Sequence, residues 1–311
     1  MIRRVVIALG IFFALGIVAP NTRALYEGVC FYLRDVVAYD PRAVVPLDRA
    51  GRYAAVYDLV ALRNDERRAY LRQQLDALAP HVRVVEIPIP ASPQTNLWVR
   101  FADAPGALTI YAAHYDKLRD APSYQGASDN TAAVGVLLAG IRALAMRGDG
   151  GARAFLFTGE EETGLRGAHA FVEYARANNL MIRAVVNFDN LGRGALAIRP
   201  SAEMPGFVFA LPFAGDLAFD GRTVRASPPV PPPNARLTQE VLRAHPGVVV
   251  YERFTAVSDS NVFQASGMDT VAISGDDMYY LEQTWHTDAD RIELLDTRNL
   301  DRAWELIVGA R

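Results

Sequence analysis

The sequence predicts an α/β fold: a mixed, mostly parallel central sheet flanked by helices. Two observations carry this. Short apolar runs of strand length alternate with longer segments of helical spacing, the pattern of strand–helix–strand units. Several of those runs end abruptly in acids or histidine, as strands do at the ligand-binding edge of an open α/β sheet. At 311 residues the chain is long enough for one large core.

The elements follow in order. "DERRAYLRQQLDALAP" (65–80) has helical spacing at Tyr70, Leu71, Leu75 and Leu78 and stops at Pro80. "VRVVEIPI" and "NLWVRFA" read as strands, and "ALTIYAAHYD" as a third. "TAAVGVLLAGIRALAMRG" (131–148) is a long helix stopped by glycine. "ARAFLFTG" is a strand, "RGAHAFVEYARANN" a helix and "IRAVVNFDNLG" a strand. Residues 200–256 break the pattern with the proline-rich "ASPPVPPPNA" (226–235), read as an excursion from the sheet, either a surface loop or a wall over the site. "VVVYERF" and "DTVAISG" resume the strands, and "TRNLDRAWELIVGAR" closes the chain as a helix. The working division is residues 1–24, a connecting region at 25–64 with short helical pieces, and a main domain at 65–311.

Composition excludes some classes. The net charge of −3 leaves no nucleic-acid footprint. Cys30 is the single cysteine, so neither an internal disulfide nor a cysteine-rich metal site can form. Lys117 is the single lysine. At the start, "MIRR" precedes an uncharged apolar run over residues 5–19, and "PNTRA" offers small residues at Thr22 and Ala24. That is the layout of an export signal or of an N-terminal membrane anchor, and either places the rest of the chain outside the cytoplasm, in the periplasm or beyond. Oligomeric state is not legible.

The chemistry sits at the strand ends. "TIYAA" ends in His114-Tyr115-Asp116, "AFLFTG" in Glu160-Glu161-Glu162, and "AVVNF" in Asp189. Gly126-Ala127-Ser128-Asp129-Asn130 opens the long helix, and Trp285-His286-Thr287 comes late, followed by Asp290. Three adjacent glutamates repel one another and resist desolvation. A cation beside them makes them favourable. Histidines and carboxylates without cysteine suit a catalytic zinc or manganese site. A two-metal site needs a shared carboxylate, further ligands on each ion and room for water.

"AAHYD", "GASDNTAAVGVLL", "FTGEEETGLRGA", "NFDNLG" and "WHTDADRIELLD" together resemble the five motifs of the secreted di-zinc aminopeptidases, the bacterial and vacuolar aminopeptidase family, in order and spacing over residues 80–311. The resemblance implies two Zn²⁺ ions per chain and a peptide substrate with a free N-terminus. It implies His114 and Asp189 on one zinc, Glu162 and His286 on the other, and Asp129 bridging them. Asp116 would orient His114, and Glu161 would be the general base. The register Glu-Glu-x-Gly-Leu leaves Glu160 as an extra, solvated acid. Two departures stand out: Ser258-Asp259-Ser260 lacks the histidine the family often carries there, and Trp285 replaces a tyrosine before the last histidine. The same motifs resemble the related single-zinc glutaminyl cyclases, which cyclise N-terminal glutamine. A catalytically dead binding domain on the same fold would lack a ligand, and none of the five is missing. A membrane-tethered interaction protein would explain the N-terminal segment but none of the acids.

Each residue also has a plainer reading. Asp129 can cap the helix that follows, Asp189 can be a turn residue, and Asp259 and Asp290 read as structural supports. His81, His169 and His245 lie outside the motifs and read as ordinary surface or satisfied histidines.

Overall fold

The structure is a computed structural model that describes residues 39–102, 106–199, 207–211, 215–219, 224–226, 235–250 and 257–309. The apolar run at 5–19 with its cleavage or anchor reading, Cys30, and the prolines of 227–234 lie outside the described residues.

The elements in chain order are α1 (Ala54–Leu59), α2 (Asn64–Asp76), β1 (Val82–Pro88), β2 (Thr95–Phe101), β3 (Leu108–His114), α3 (Ala132–Arg147), β4 (Arg153–Thr158), α4 (Arg166–Ala177), β5 (Ile182–Phe188) and β6 (Leu196–Arg199). Strands β7 (Phe207–Leu211), β8 (Gly215–Phe219) and β9 (Val224–Ala226) follow, then α5 (Ala235–Ala244), β10 (Val249–Val250), α6 (Asp259–Ala265), β11 (Thr270–Gly275), α7 (Met278–Thr284) and α8 (Thr297–Gly309). Among the described residues the main sheet runs β1-β2-β4-β3-β5-β11-β6-β10. Its centre, β4-β3-β5-β11, is parallel, with antiparallel pairs at β1-β2, β2-β4 and β11-β6. This is the mixed, mostly parallel sheet expected.

Alternation along the strands builds two cores. Tyr111 and Ala113 of β3, with Phe155 and Phe157 of β4, face α1, α2, α3 and α8. Ile110 and Ala112, with Ala154 and Leu156, face α4 and α6. The period of two thus places helices on both faces. Helix α3 is buried almost all round because it carries small residues where its neighbours cross: a Cβ on Gly135 would lie 2.4 Å from Val56, and one on Gly140 2.9 Å from Ile307. Its apolar composition matches that of a membrane span, but 83% of that stretch is buried inside the fold, so it is a core helix.

One expectation changes, and two gain detail. Leu47, Tyr53, Val56 and Leu59 belong to the same core as the sheet. Residues 47–59 of the expected connecting region are therefore packed into the core beside α3 rather than merely connecting, and their short helical turn gives too little periodicity to reveal that from sequence. Within 200–256, β7, β8 and β9 form a separate three-stranded antiparallel sheet. Of "VVVYERF", Val249–Val250 is a strand, paired in parallel with β6.

Candidate active site

The parallel pairing aligns the C-terminal strand ends. His114 at the end of β3 sits opposite Thr158 at the end of β4, and Ile273 of β11 opposite Phe188 of β5. Residues immediately beyond these ends therefore share one edge. The five ligands expected from sequence come together there.

Asp129 lies in the middle. Its Oδ1 is 3.1 Å from His114 Nε2, and its Oδ2 is 3.3 Å from His286 Nε2. Asp189 Oδ1 is 3.6 Å from the same His114 nitrogen. Glu162 Oε2 is 3.2 Å from His286 Nε2. One carboxylate thus faces two histidines, one oxygen to each, with a further acid beside each histidine. His114 and Asp129 are 2% and 3% exposed, whereas the His286 side chain is 34% exposed and marks the open side.

Neighbouring groups aim these side chains. His114 Nδ1 lies 3.1 Å from the Asp116 carbonyl oxygen and 3.5 Å from Asp116 Oδ1, which directs Nε2 into the cluster. The Asp116 carboxylate also accepts from the backbone N–H groups of Glu161 and Glu162, each at 3.2 Å. It therefore ties the end of β3 to the glutamate turn. That turn needs left-handed backbone: Gly164 has φ +109°.

Asp129 is held as firmly. Ala127–Thr131 forms a kinked turn before α3, with Asp129 and Asn130 outside helical backbone geometry, and the Asp129–Asn130 peptide is cis. Gly126 opens it at φ +53°, where a Cβ would fall 2.6 Å from the Asp129 carbonyl oxygen. Buried Asp290 accepts from Ser128 N at 2.8 Å, Ser128 Oγ at 2.9 Å and Asp129 N at 3.0 Å. Asn130 Nδ2 donates to the Phe188 carbonyl at 2.9 Å, joining the turn to the end of β5 beside Asp189.

The charge balance calls for a cation. Burial raises the pKa of Glu161 and neighbouring Asp189, Asp259 and Asp129 raise it further, against the charge of His114. Burial likewise raises Glu162 and Asp189. Hydrogen bonds to Asp129 and Glu162 lift His286 to about 10. Burial lowers His114, but the charge of Glu161 and contacts with Asp116, Asp129 and Asp189 outweigh it and raise its pKa. Asp129 goes the other way: burial opposes its ionisation, and the two histidines overcome that. Without metal, then, the cluster gathers protons.

A metal fits the donor set. His114 Nε2 and Glu162 Oε1 are buried and make no hydrogen bond among the described residues. His114, Asp129 and Glu162 offer ligand atoms within 4.8 Å of one another. Nitrogen and carboxylate oxygen donors with an open side suit a catalytic zinc.

One neighbour departs from the sequence reading, and others add to it. Glu160 is not free in solvent: it accepts from Arg166 at 3.0 Å and Thr163 at 2.6 Å and bonds Ser92 Oγ. Its charge braces the turn from behind. Asp259, 1% exposed, bonds Thr158 Oγ1 beneath the site, and burial pushes its pKa up to about 7. Where the family often has histidine, Ser260 is fully buried and its Oγ lies 2.7 Å from Ser258 Oγ. Arg67, which gave no signal as a site residue, is completely buried next to the cluster, its charge acting on Asp116 and Asp129. The hint available was its position: four before Leu71 and eight before Leu75, it occupies the apolar stripe of α2. On the rim, the Trp285 ring lies 4.3 Å from that of His286, and Arg119 donates to the His286 carbonyl at 3.2 Å.

The fold and this cluster define a metal-dependent hydrolase of the α/β exopeptidase type. Comparison with known proteins makes the assignment specific: the profile of Peptidase family M28 matches residues 96–310, and the chain belongs to that family. Among solved structures, the LapA aminopeptidase of Legionella pneumophila superposes with a TM-score of 0.65 at 13% identity, covering 86% of this chain and 69% of that one. A leucine aminopeptidase precursor from Bacteroides thetaiotaomicron gives 0.59 at 16%, covering 86% and 99%. The glutaminyl cyclase of Porphyromonas gingivalis gives 0.59 at 16%, covering 84% and 96%. Likenesses at this identity establish the fold. A comparison with curated proteins finds no match to this sequence.

Because Asp290 carries three hydrogen bonds to the Ser128–Asp129 segment, Asp290→Asn should leave the protein folded and weaken zinc binding by roughly 10–100-fold. A chelator-competition titration beside a thermal melt reads both quantities. Unchanged zinc affinity would show that the segment holds its position without that carboxylate.

Proposed function

We propose that this M28 peptidase is a di-zinc aminopeptidase. The supporting observation is the stance of Asp129, with one oxygen toward His114 and the other toward His286. In this reading His114 and Asp189 would hold one zinc, Glu162 and His286 would hold the second, and Asp129 would be shared between them. Asp116 orients His114 and the glutamate turn. When bound, the metals supply Lewis acidity that polarises the scissile carbonyl and lowers the pKa of water towards neutrality.

The chain's own residues do the rest. The substrate enters from the side of His286, past Trp285 and Arg119. Glu161 takes a proton from water as its oxygen attacks the carbonyl carbon, and the carbon–nitrogen bond breaks as that proton passes to the leaving amine. Burial of the cluster excludes bulk water, which strengthens each electrostatic contact.

Cyclisation of N-terminal glutamine is the competing reading, and the Trp285 ring beside His286 favours it. It leaves His114 and Asp189, a complete second ligand pair, without a use. Glu161→Gln should lower turnover by about 10²–10⁴-fold with metal retained. Glu162→Gln should instead lower zinc affinity, because it weakens a direct ligand. Both variants are assayed for hydrolysis of aminoacyl amides and for metal content. A wild type that cyclises glutaminyl peptides without hydrolysing aminoacyl substrates would sink the aminopeptidase reading.

The protein acts outside the cytoplasm in this account, exported or anchored by its N-terminal segment. The basic "MIRR" and the apolar run at 5–19 support this. Residues 1–24 fused to a reporter active only after export should make it active, and cytoplasmic retention of the fusion would contradict the assignment.

A further inference from the structure

Arg67 is a cation at a core position. It sits on α2 in line with Leu71 and Leu75, and its side chain is wholly enclosed. Nη2 donates to Thr131 Oγ1 at 2.7 Å, while Nε and Nη1 have no hydrogen-bond partner among the described residues. A leucine here would continue the stripe. An enclosed guanidinium with two idle nitrogens is costly unless charge compensates it.

The compensation is the acid cluster. Burial lowers the Arg67 pKa to about 10, and the first charges that oppose this are those of Asp116 and Asp129. Neighbouring cations serve other ends. Lys117, 2% exposed, gives its Nζ to the carbonyls of Ala121 and Tyr124 at 3.0 and 2.7 Å. Arg68 turns to Glu86 at 3.0 Å. Arg67 is also rigidly placed: the first residue of α2, Asn64, exchanges hydrogen bonds with both backbone groups of Lys117, next to Asp116. On the far side Thr131 Oγ1 donates to the Gly126 carbonyl at 2.6 Å, closing the turn that carries Asp129.

We propose that Arg67 is a resident counter-cation of the metal site, a positioning residue that keeps the carboxylates and the Gly126–Thr131 turn assembled before metal arrives. The inference rests on the cluster being a metal site. Its consequence is opposite to that of a ligand. A fixed positive charge that steadies the acids also repels a divalent ion placed among them, so it holds the metal-free site together and weakens its grip on metal. Coulomb energy over several ångströms at an effective dielectric of about 20 makes the repulsion worth roughly tenfold or more in affinity.

The experiment uses the full chain with zinc alone as probe, measuring zinc affinity by chelator competition and melting temperature with and without zinc. Arg67→Met should bind zinc about tenfold or more tightly than wild type, while its metal-free form melts lower. Arg67→Lys retains the charge and should keep affinity within a few-fold of wild type. Weaker zinc binding in both Arg67→Met and Arg67→Lys would overturn the proposal, since that is what loss of a packing or hydrogen-bonding role does. So would an unchanged affinity in Arg67→Met. If Arg67→Met fails to fold with or without zinc, Arg67→Lys decides: near-wild-type affinity and metal-free stability support the counter-cation, and loss of either overturns it. A wild type that binds no zinc would overturn the site assignment itself, a result distinct from any difference between variants.

Discussion

Carboxylates crowded at the end of a parallel sheet are the constraint on which this molecule is organised. Asp129, Glu161, Glu162 and Asp189, with Asp116 and Asp259 close behind, are enclosed together at the strand ends. Like charges at such separation destabilise one another unless protons, hydrogen bonds or cations intervene. Each feature around the site answers that problem. The backbone N–H groups of Glu161 and Glu162 point at Asp116. Those of Ser128 and Asp129 point at Asp290. The two histidines flank Asp129, and Arg67 donates to Thr131 two residues further on.

The fold supplies the geometry. Four parallel strands ending in register place three acid-bearing turns side by side, and the small residues of α3 let α1 and α8 close over one face of the sheet. Part of the support lies ahead of residues 96–310, the stretch that defines family membership. Helix α2 delivers Arg67, and Asn64 pins the segment after Asp116. The loops that carry the acid cluster thus make contact with a helix that lies outside the matched stretch.

Much of this was legible in the sequence, and the limits have physical causes. Alternation of strand-length apolar runs with longer helical segments marked β3, β4, β5 and α3, because their burial is nearly complete. The convergence of His114, Asp129, Glu162, Asp189 and His286 was legible because histidine and acid at strand ends have few other uses. Glu160 was misjudged as solvated, since its partners Ser92 and Arg166 are distant in sequence and chain neighbours alone suggested a surplus charge. Residues 47–59 were read as connecting because one short helix shows no period, although Val56 and Leu59 are fully buried. Arg67 escaped because an arginine in a helix rich in charged residues reads as solvent-facing; its place on the stripe of Leu71 and Leu75 was the one available sign.

The central claim is that Asp129 joins two metal ions in a single site. Native mass spectrometry of the folded chain during zinc titration tests this directly. The account predicts saturation at two zinc ions per chain, falling below two for Asp129→Ala while the Asp129→Ala protein stays folded. Saturation at one ion in the wild type, or two ions retained without Asp129, would contradict it.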